Sequence, residues 1–563
     1  MLNAKELDGK DFIKLITGGA RYLRANAKIV NDLNVFPIPD GDTGENMCMT
    51  IEGGVNALKD PDEFSIGKAA GALSNGMLMS ARGNSGVILS QLFAGLAKSL
   101  AGKDKATIRD IAEAFTAGVQ CGYNAVINPT EGTILTVARE AAEYVNKELT
   151  EDITLDEFAK AFLKEAKASL DRTPELLKVL KEAGVIDSGG AGLYFIAEGA
   201  FKTLHGEEIL APVNGSPSTA PLGSAEPPKA IDYSNFTEFD VMKFGYCTEF
   251  LLRLQTSKID IESFKIEKLI NFLSSMGDSI VAFQNGTIVK VHVHTMKPGL
   301  ILEHCQQFGE FLTVKIENMT LEHNESTVDN KFGTIEKSKS TEPKDFATIA
   351  VANGQGIKDT FKELGADYIV DGGQTKNPST EDFIKAFDEV NASTIFVRPN
   401  NGNILLAARQ AAKLYDKSDV RVIESKSIGQ GYAALTMLSY DSGNADEIVT
   451  NFNDAMEGVE TGEVTVSVRD VTLNGIEIKK DNYIGFSGKT MLAANESRIE
   501  TAKNLAVSMN AGDHEFLIVI YGEAVQENEK LEFGKYMKAT YPHMEFYEIS
   551  GGQDVYDYLL ILQ

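Results

Sequence analysis

Apolar residues over the first 210 positions return at intervals of three and four. Phe12, Leu15, Ile16, Tyr22 and Leu23 do so, and Ile108, Ile111, Ala112 and Phe115 repeat the pattern, the period of a helix that buries one stripe. Thr154 and Glu157 form a capping box ahead of Phe158, Phe162 and Leu163, and Thr173-Pro174-Glu175 predicts a further helix start, closed by Gly184. Period-two runs are missing here, so residues 1–210 predict an all-α domain. From 231 to 324 the pattern changes. Tyr246 to Leu254 is strand-like, Ile259 to Ser275 helical, and Ile280 to Phe283 with Thr287 to His294 predict a hairpin about Asn285-Gly286. A helix from Gly299 to Phe308 and the strand-like FLTVKIENM complete a small α+β middle domain. Over 345–563, apolar strands at 347–351, 368–370, 394–397 and 420–423 alternate with helices at 357–364, 380–390 and 404–414, predicting an α/β domain with a parallel sheet. Two turn-rich stretches read as linkers: 211–230, where five of the 15 prolines fall, and 325–344.

Length fits this multidomain reading, since 563 residues at about 150 per domain make roughly three or four domains. A hydrophobic share of 43% excludes whole-chain disorder. With 81 acidic against 54 basic residues the surface repels phosphate backbones and anionic lipid, so nucleic acid is not an expected ligand. The most apolar run, Gly86 to Gly102, is broken by Ser90, Gln91 and Lys98, and no membrane span is expected. Charges at Lys5, Glu6, Asp8, Lys10 and Asp11 stand where a signal peptide needs an apolar run, and the four cysteines lie far apart, so the cytoplasm is the expected compartment. Oligomeric state is left open, a homodimer included.

The sharpest chemical signal is Asn34-Val35-Phe36-Pro37-Ile38-Pro39-Asp40-Gly41-Asp42-Thr43-Gly44-Glu45-Asn46-Met47. Prolines stiffen the approach, glycines admit a ligand close to the backbone, and Asp40 and Asp42, two apart, point the same way in an extended loop. Paired hard oxygens suit Mg²⁺, which completes its octahedron with phosphate and water. The competing reading is an Asp-Gly turn that caps the next helix. An EF-hand fails on register, because Glu45 and Ile51 occupy the places of its glycine and glutamate. Three further turns precede probable helices: Ala81-Arg82-Gly83-Asn84-Ser85-Gly86, Pro129-Thr130-Glu131-Gly132-Thr133 and Asp187-Ser188-Gly189-Gly190. Glycine-rich helix starts expose N–H groups to phosphate oxygens.

The series NVFPIPDGDTGENM, ARGNSGVILSQ, PTEGTILTV and VIDSGGAGL resembles the nucleotide-binding subunit of dihydroxyacetone kinase, and more closely the bacterial fatty acid kinase catalytic subunit, with the same domain order across the whole chain. The resemblance implies an all-α helical barrel that binds ATP, the middle domain, and a DegV-like C-terminal domain. It implies Asp40 and Asp42 as Mg²⁺ ligands, with Asn34, Thr43, Gly44, Asn46, Gly83, Asn84, Ser85, Gly86, Thr133 and Asp187 at the nucleotide. The dihydroxyacetone enzymes carry another Asp before the pair. Residues 33–39 hold no acidic residue here, and Asn34 would substitute through its amide oxygen. The implied reaction moves the γ-phosphoryl of ATP to a fatty acid carboxylate on a separate binding protein, giving an acyl phosphate for phospholipid synthesis. A carboxylic acid with pKa near ~4.3 is already ionised, so positioning and charge neutralisation suffice. Arg172, beside the Thr-Pro turn, is a candidate for the transferring phosphoryl group, the alternative being a surface arginine.

Cys247, His292 and His294 form a second candidate set. Thiolate and two imidazoles suit zinc with a fourth position open, and the resemblance favours that reading; two surface histidines and a buried cysteine is the alternative. Ser425 and Ser427 are candidates for a hydroxyl near a bound carboxylate. Ser487-Gly488-Lys489-Thr490 ends like a P-loop but lacks its first glycine, Tyr483 standing there, and reads as a hairpin turn. Alternative functions are a small polyol kinase of the dihydroxyacetone type and a non-catalytic, zinc-stabilised scaffold for lipid or carrier.

Overall fold

The computed structural model describes residues 2–34, 41–58, 65–126, 128–150, 152–207, 209, 245–261, 264–285, 287–318, 344–473 and 476–563. Strand β1 (Glu6–Asp8) leads into α1 (Gly9–Asp32), where Asp8 accepts the Asp11 N–H at 2.9 Å and Phe12, Ile16, Leu23, Ala27 and Val30 form the buried stripe. There follow α2 (Thr43–Asn56), α3 (Ile66–Ser80), α4 (Gly83–Leu100), β2 (Lys105–Thr107), α5 (Ile108–Asn124), α6 (Ile134–Glu148), α7 (Leu155–Leu176), α8 (Lys178–Ala183) and α9 (Ser188–Leu204). Packing runs from α1 to α2, α3, α4, α5, α6, α7 and α9, and α9 lies back on α1. Leu23, Met47, Ile51, Leu73, Leu89 and Val137 are fully buried in the shared core. Each such aliphatic side chain contributes roughly 1.5–3 kcal/mol by leaving water.

Two local details differ from the sequence reading. The helical domain is not purely α: β1 and β2 pair antiparallel, Glu6 opposite Thr107, and three-residue strands are too short to show a period. Pro174 does not open a helix but lies in the last turn of α7. The Leu170 carbonyl that its missing N–H would leave unpaired accepts from the Thr173 hydroxyl at 2.7 Å. Gly184, at φ 66°, ends α8 as expected. The capping box at Thr154 and Glu157 is present.

By contacts the chain divides into one unit of residues 1–215 with 343–563 and another of 216–342. The second unit contains β3 (Tyr246–Leu254), α10 (Ile266–Met276), β4 (Gly277–Asn285), β5 (Ile288–Thr295), α11 (Pro298–Cys305) and β6 (Gly309–Asn318), an antiparallel sheet in the order β4-β5-β3-β6. Leu269 and Leu273 of α10 and Ile301 of α11 are buried with Phe250, Leu252 and Val291 of the sheet. The expected linkers, 211–230 and 325–344, fall outside the described residues except Lys344.

The C-terminal part begins with β7 (Lys344–Ala352), α12 (Gln355–Glu363), β8 (Tyr368–Asp371), α13 (Thr380–Val390), β9 (Ala392–Arg398), α14 (Leu405–Leu414) and β10 (Asp419–Val422). Its four strands, in the order β10-β9-β7-β8, are parallel, as the alternation predicts. After α15 (Ile428–Thr436) and α16 (Ala445–Met456) the topology departs from that expectation. β11 (Glu460–Val466), β14 (Tyr483–Ser487), β15 (Thr490–Asn495), β16 (Phe516–Tyr521), β17 (Glu545–Ser550) and β18 (Tyr558–Leu562) form a second sheet, in which only β16 and β17 run parallel. The small pair β12 (Val471–Leu473) and β13 (Ile476–Ile478) stands apart, and α17 (Arg498–Ser508) and α18 (Glu527–Thr540) complete the part. Hairpin connections such as Gly488-Lys489, with Gly488 at φ 58°, allow antiparallel neighbours without a crossover helix. That hairpin is the predicted fate of the P-loop-like SGKT.

Candidate functional site

Helices α1 and α2, which precede and follow the aspartate loop in sequence, are clamped together. Arg24 donates to both oxygens of Glu45 at 2.8 and 2.6 Å and to Glu52 at 2.7 and 2.6 Å. Asn31 Oδ1 accepts the Gly44 N–H at 2.7 Å, so the start of α2 is capped from the preceding helix. A Cβ on Gly44 would lie 2.3 Å from the Ala27 carbonyl oxygen, so glycine is required for this approach. Asp42 occupies the N-cap position yet makes no capping bond with its side chain. Its Oδ2 accepts from Asn377 Nδ2 in the turn before α13. Asn31 thus caps the start of α2, and the Asp42 carboxylate turns to Asn377. The hard oxygens of such a carboxylate are the donor type that a divalent cation such as Mg²⁺ takes.

Gly83 opens α4 at φ 56°, and a Cβ there would meet Asn46 Nδ2 at 2.7 Å and Asn377 Nδ2 at 3.4 Å. Asn84 and Ser85 at the start of α4, Thr133 and Ile134 at the start of α6, and Asp187, Ser188 and Gly189 at the start of α9 line one open cavity of about 380 Å³. Leu406 and Arg409 of α14 close its side. Helix starts carry N–H groups without intrahelical acceptors and the positive ends of their dipoles. Three of them around one cavity, with a guanidinium beside them, make a seat for a polyanion.

Asp187 caps α9 by accepting the Gly190 N–H at 2.7 Å, while Thr173 Oγ accepts its own N–H at 3.0 Å. Burial of the carboxyl pushes it up to about 6, against the lowering effect of the Gly190 and Ile134 N–H groups. A raised carboxyl pKa means that the folded state holds the proton longer, so stability falls as pH rises from about 4 to about 6 and the full penalty applies above. The penalty is at most about 3 kcal/mol, lessened by solvent in the open cavity. Asp187→Asn keeps a capping oxygen without the charge. Its unfolding free energy relative to the wild type should rise across that pH window, as measured by denaturant titrations at pH 4.5 and 7.5; a pH-independent difference would refute the assignment.

Of the residues singled out from sequence, Asn84, Ser85, Thr133 and Asp187 share the cavity, while Asp42, Asn46 and Gly83 meet beside Asn377. Thr43 is the first residue of α2, Gly86 packs on Thr50 of α2, and Asn34 follows the end of α1. Asp40 lies outside the described residues. Arg172 does not line the cavity; its Nη2 pairs with Glu140 and Glu165, each at 2.7 Å. Ser425 is fully buried and donates to Asn400 Oδ1 at 2.7 Å, while Ser427 caps α15 and lies 2.8 Å from the Thr461 hydroxyl. In the second unit the register pairs Cys247 with His294 and Glu249 with His292. The Cys247 and His292 side chains lie outside the described residues, among which no group of three or more His, Cys, Asp or Glu is placed to hold a metal. Zinc accordingly gains no support. No helix among the described residues is long and apolar enough to cross a membrane. Asn31, Asn377 and Arg409 escaped the sequence reading, since each acts through a tertiary contact and stands in no local motif.

A DAK2 domain model matches residues 37–202, which sets the helical part among kinase domains. Models for the middle and C-terminal domains of FakA-like fatty acid kinase subunits match 243–326 and 347–563. Protein YloV of Bacillus subtilis is 39% identical over 559 residues, 99% of this chain and 100% of that protein. Uncharacterized protein SSP1546 of Staphylococcus saprophyticus is 39% identical over 562 residues, again 99% of this chain and all of that one. The chain belongs to the FakA-like family of fatty acid kinase subunits. Among solved structures, DegV, a fatty acid binding protein from Bacillus subtilis, aligns with 39% of this chain and 99% of its own at 11% identity and a TM-score of 0.30.

Proposed function

We propose that the chain is the ATP-binding subunit of a fatty acid kinase and transfers the γ-phosphoryl of ATP to a fatty acid carboxylate presented by a separate fatty-acid-binding protein. The observation that carries this reading is the cavity lined by the starts of α4, α6 and α9, with the Asp42 carboxylate held by Asn377, which lies against Gly83, the residue before the cavity-lining Asn84. Asp42, with Asp40, would hold Mg²⁺, which supplies charge neutralisation on the triphosphate when bound. The α4, α6 and α9 N–H groups and Arg409 orient the phosphates, and Leu406 offers an apolar wall. The acceptor is an anion at neutral pH, so no general base is required and the protein's work is alignment and shielding from water. Membership in a family of kinase subunits supports a companion that carries the acyl chain.

ATP consumption and acyl phosphate formation, measured with the purified chain, oleate and a fatty-acid-binding protein of the DegV type, test the reading. Turnover only when both lipid and carrier are present is expected. Equal turnover with dihydroxyacetone and no carrier would favour the polyol kinase, and no ATP binding at all would leave the scaffold.

A further inference from the structure

The metal edge of the site is not built by the helical domain alone. Residues 377–382, ahead of and within the first turn of α13, lie against residues 81–83 at the start of α4. The Thr380 N–H donates to the Ala81 carbonyl at 3.2 Å, Arg82 Nη1 donates to the Asn377 carbonyl at 2.9 Å, and Arg82 reaches Asp382 at 3.6 Å. Nearby, Asn84 Nδ2 donates to Asn403 Oδ1 at 3.2 Å. This docking brings Asn377, only 3% exposed, onto Asp42. Its Nδ2 donates to one oxygen of that carboxylate. Its Oδ1 is buried and has no hydrogen-bond partner among the described residues.

A buried amide oxygen left without a donor costs about 1–3 kcal/mol, so such an atom in a native site points to a missing donor. Beside an aspartate that fits a divalent cation, the donor of matching chemistry is a metal-bound water, because Mg²⁺ keeps several waters and those waters donate outward. We propose that Asn377, supplied by the C-terminal part, is the outer-shell positioning residue of the Mg²⁺ site: Nδ2 fixes the Asp42 carboxylate and Oδ1 accepts from a water on the cation. The inference rests on the Mg·ATP reading above and extends it to a residue more than 300 positions away, in another part of the chain.

Mn²⁺ binding to the full-length chain in the presence of AMP-PNP, followed by electron paramagnetic resonance, tests it. Asn377→Ala should weaken Mn²⁺ about 10- to 100-fold, the usual range for an outer-shell ligand partner. Asn377→Asp should bind Mn²⁺ at least as tightly as wild type, since a cation relieves the repulsion of two facing carboxylates. Loosened docking would weaken both variants alike, so opposite effects support the assignment and parallel losses overturn it. Wild-type affinity in Asn377→Ala, with binding lost in Asp42→Asn, would also overturn it. Undiminished Mn²⁺ binding in Asp42→Asn would instead overturn the Mg·ATP reading itself.

Discussion

Asp42→Asn is expected to lower γ-phosphoryl transfer about a thousandfold or more while leaving the fold intact. The substitution is isosteric, and an amide oxygen can still accept from Asn377 Nδ2, so docking of the C-terminal part survives. What disappears is one negative charge at the metal edge. A bound metal supplies several kcal/mol of stabilisation to a transferring phosphoryl group, and about 4 kcal/mol corresponds to a factor of about a thousand. Capping of α2 is unaffected because Asn31 provides it, so the thermal unfolding midpoint should stay near that of the wild type. Single-turnover transfer from radiolabelled ATP, alongside thermal unfolding, decides the matter. Full transfer with Mg²⁺ still bound would rule out Asp42 as the metal carboxylate.

The second large effect separates two arginines. Arg172 has its guanidinium paired with Glu140 and Glu165, with 43% of the side chain exposed. Arg409 lines the cavity beside Ser85, Thr133 and Asp187, with its side chain 27% exposed and steadied by Glu424. A guanidinium that faces developing charge in a sheltered site is worth about 10²–10³ in turnover, as for other single donors of that kind. Arg409→Ala should therefore lower kcat by about a hundredfold, with Arg409→Lys intermediate because a point charge replaces the fork. Arg172→Ala should change kcat little and act on stability by about 1 kcal/mol at most, as exposed ion pairs do. Steady-state kinetics on the three variants provide the check. A larger loss in Arg172→Ala than in Arg409→Ala would return the role to Arg172.

Local chemistry explains what the sequence made legible. The aspartate loop and the glycine-rich helix starts are contiguous motifs, and the structure gathers Asn84, Ser85, Thr133 and Asp187 at one cavity because each stands at the head of a helix whose apolar stripe fixes its direction. The capping box at Thr154 and Glu157 and the parallel strands of the first C-terminal sheet were legible for the same reason: period and cap are written within a few residues. The partners Asn31, Asn377 and Arg409 were not. An asparagine near a helix end reads as a weak helix former, Asn377-Pro378 as an ordinary turn, and Arg409 as the polar face of an amphipathic helix. Only packing turns them toward the site. The second C-terminal sheet was missed because its strands pair at long range, β11 between β14 and β18, with no alternation of strand and helix to announce it.

The contact between residues 81–83 and 377–382 also has a consequence in time. Arg82 and Asn377 are 295 positions apart. At roughly 5–20 residues per second, a ribosome delivers the second roughly 15–60 s after the first. During that interval Ala81 and Val87, which end up buried with Val351, Phe383 and Ile404, have no C-terminal core to enter. On the function proposed above, the half-made chain would hold the helix starts of the cavity without Leu406 and Arg409, and the site would be complete only as the carboxy-terminal half is threaded out.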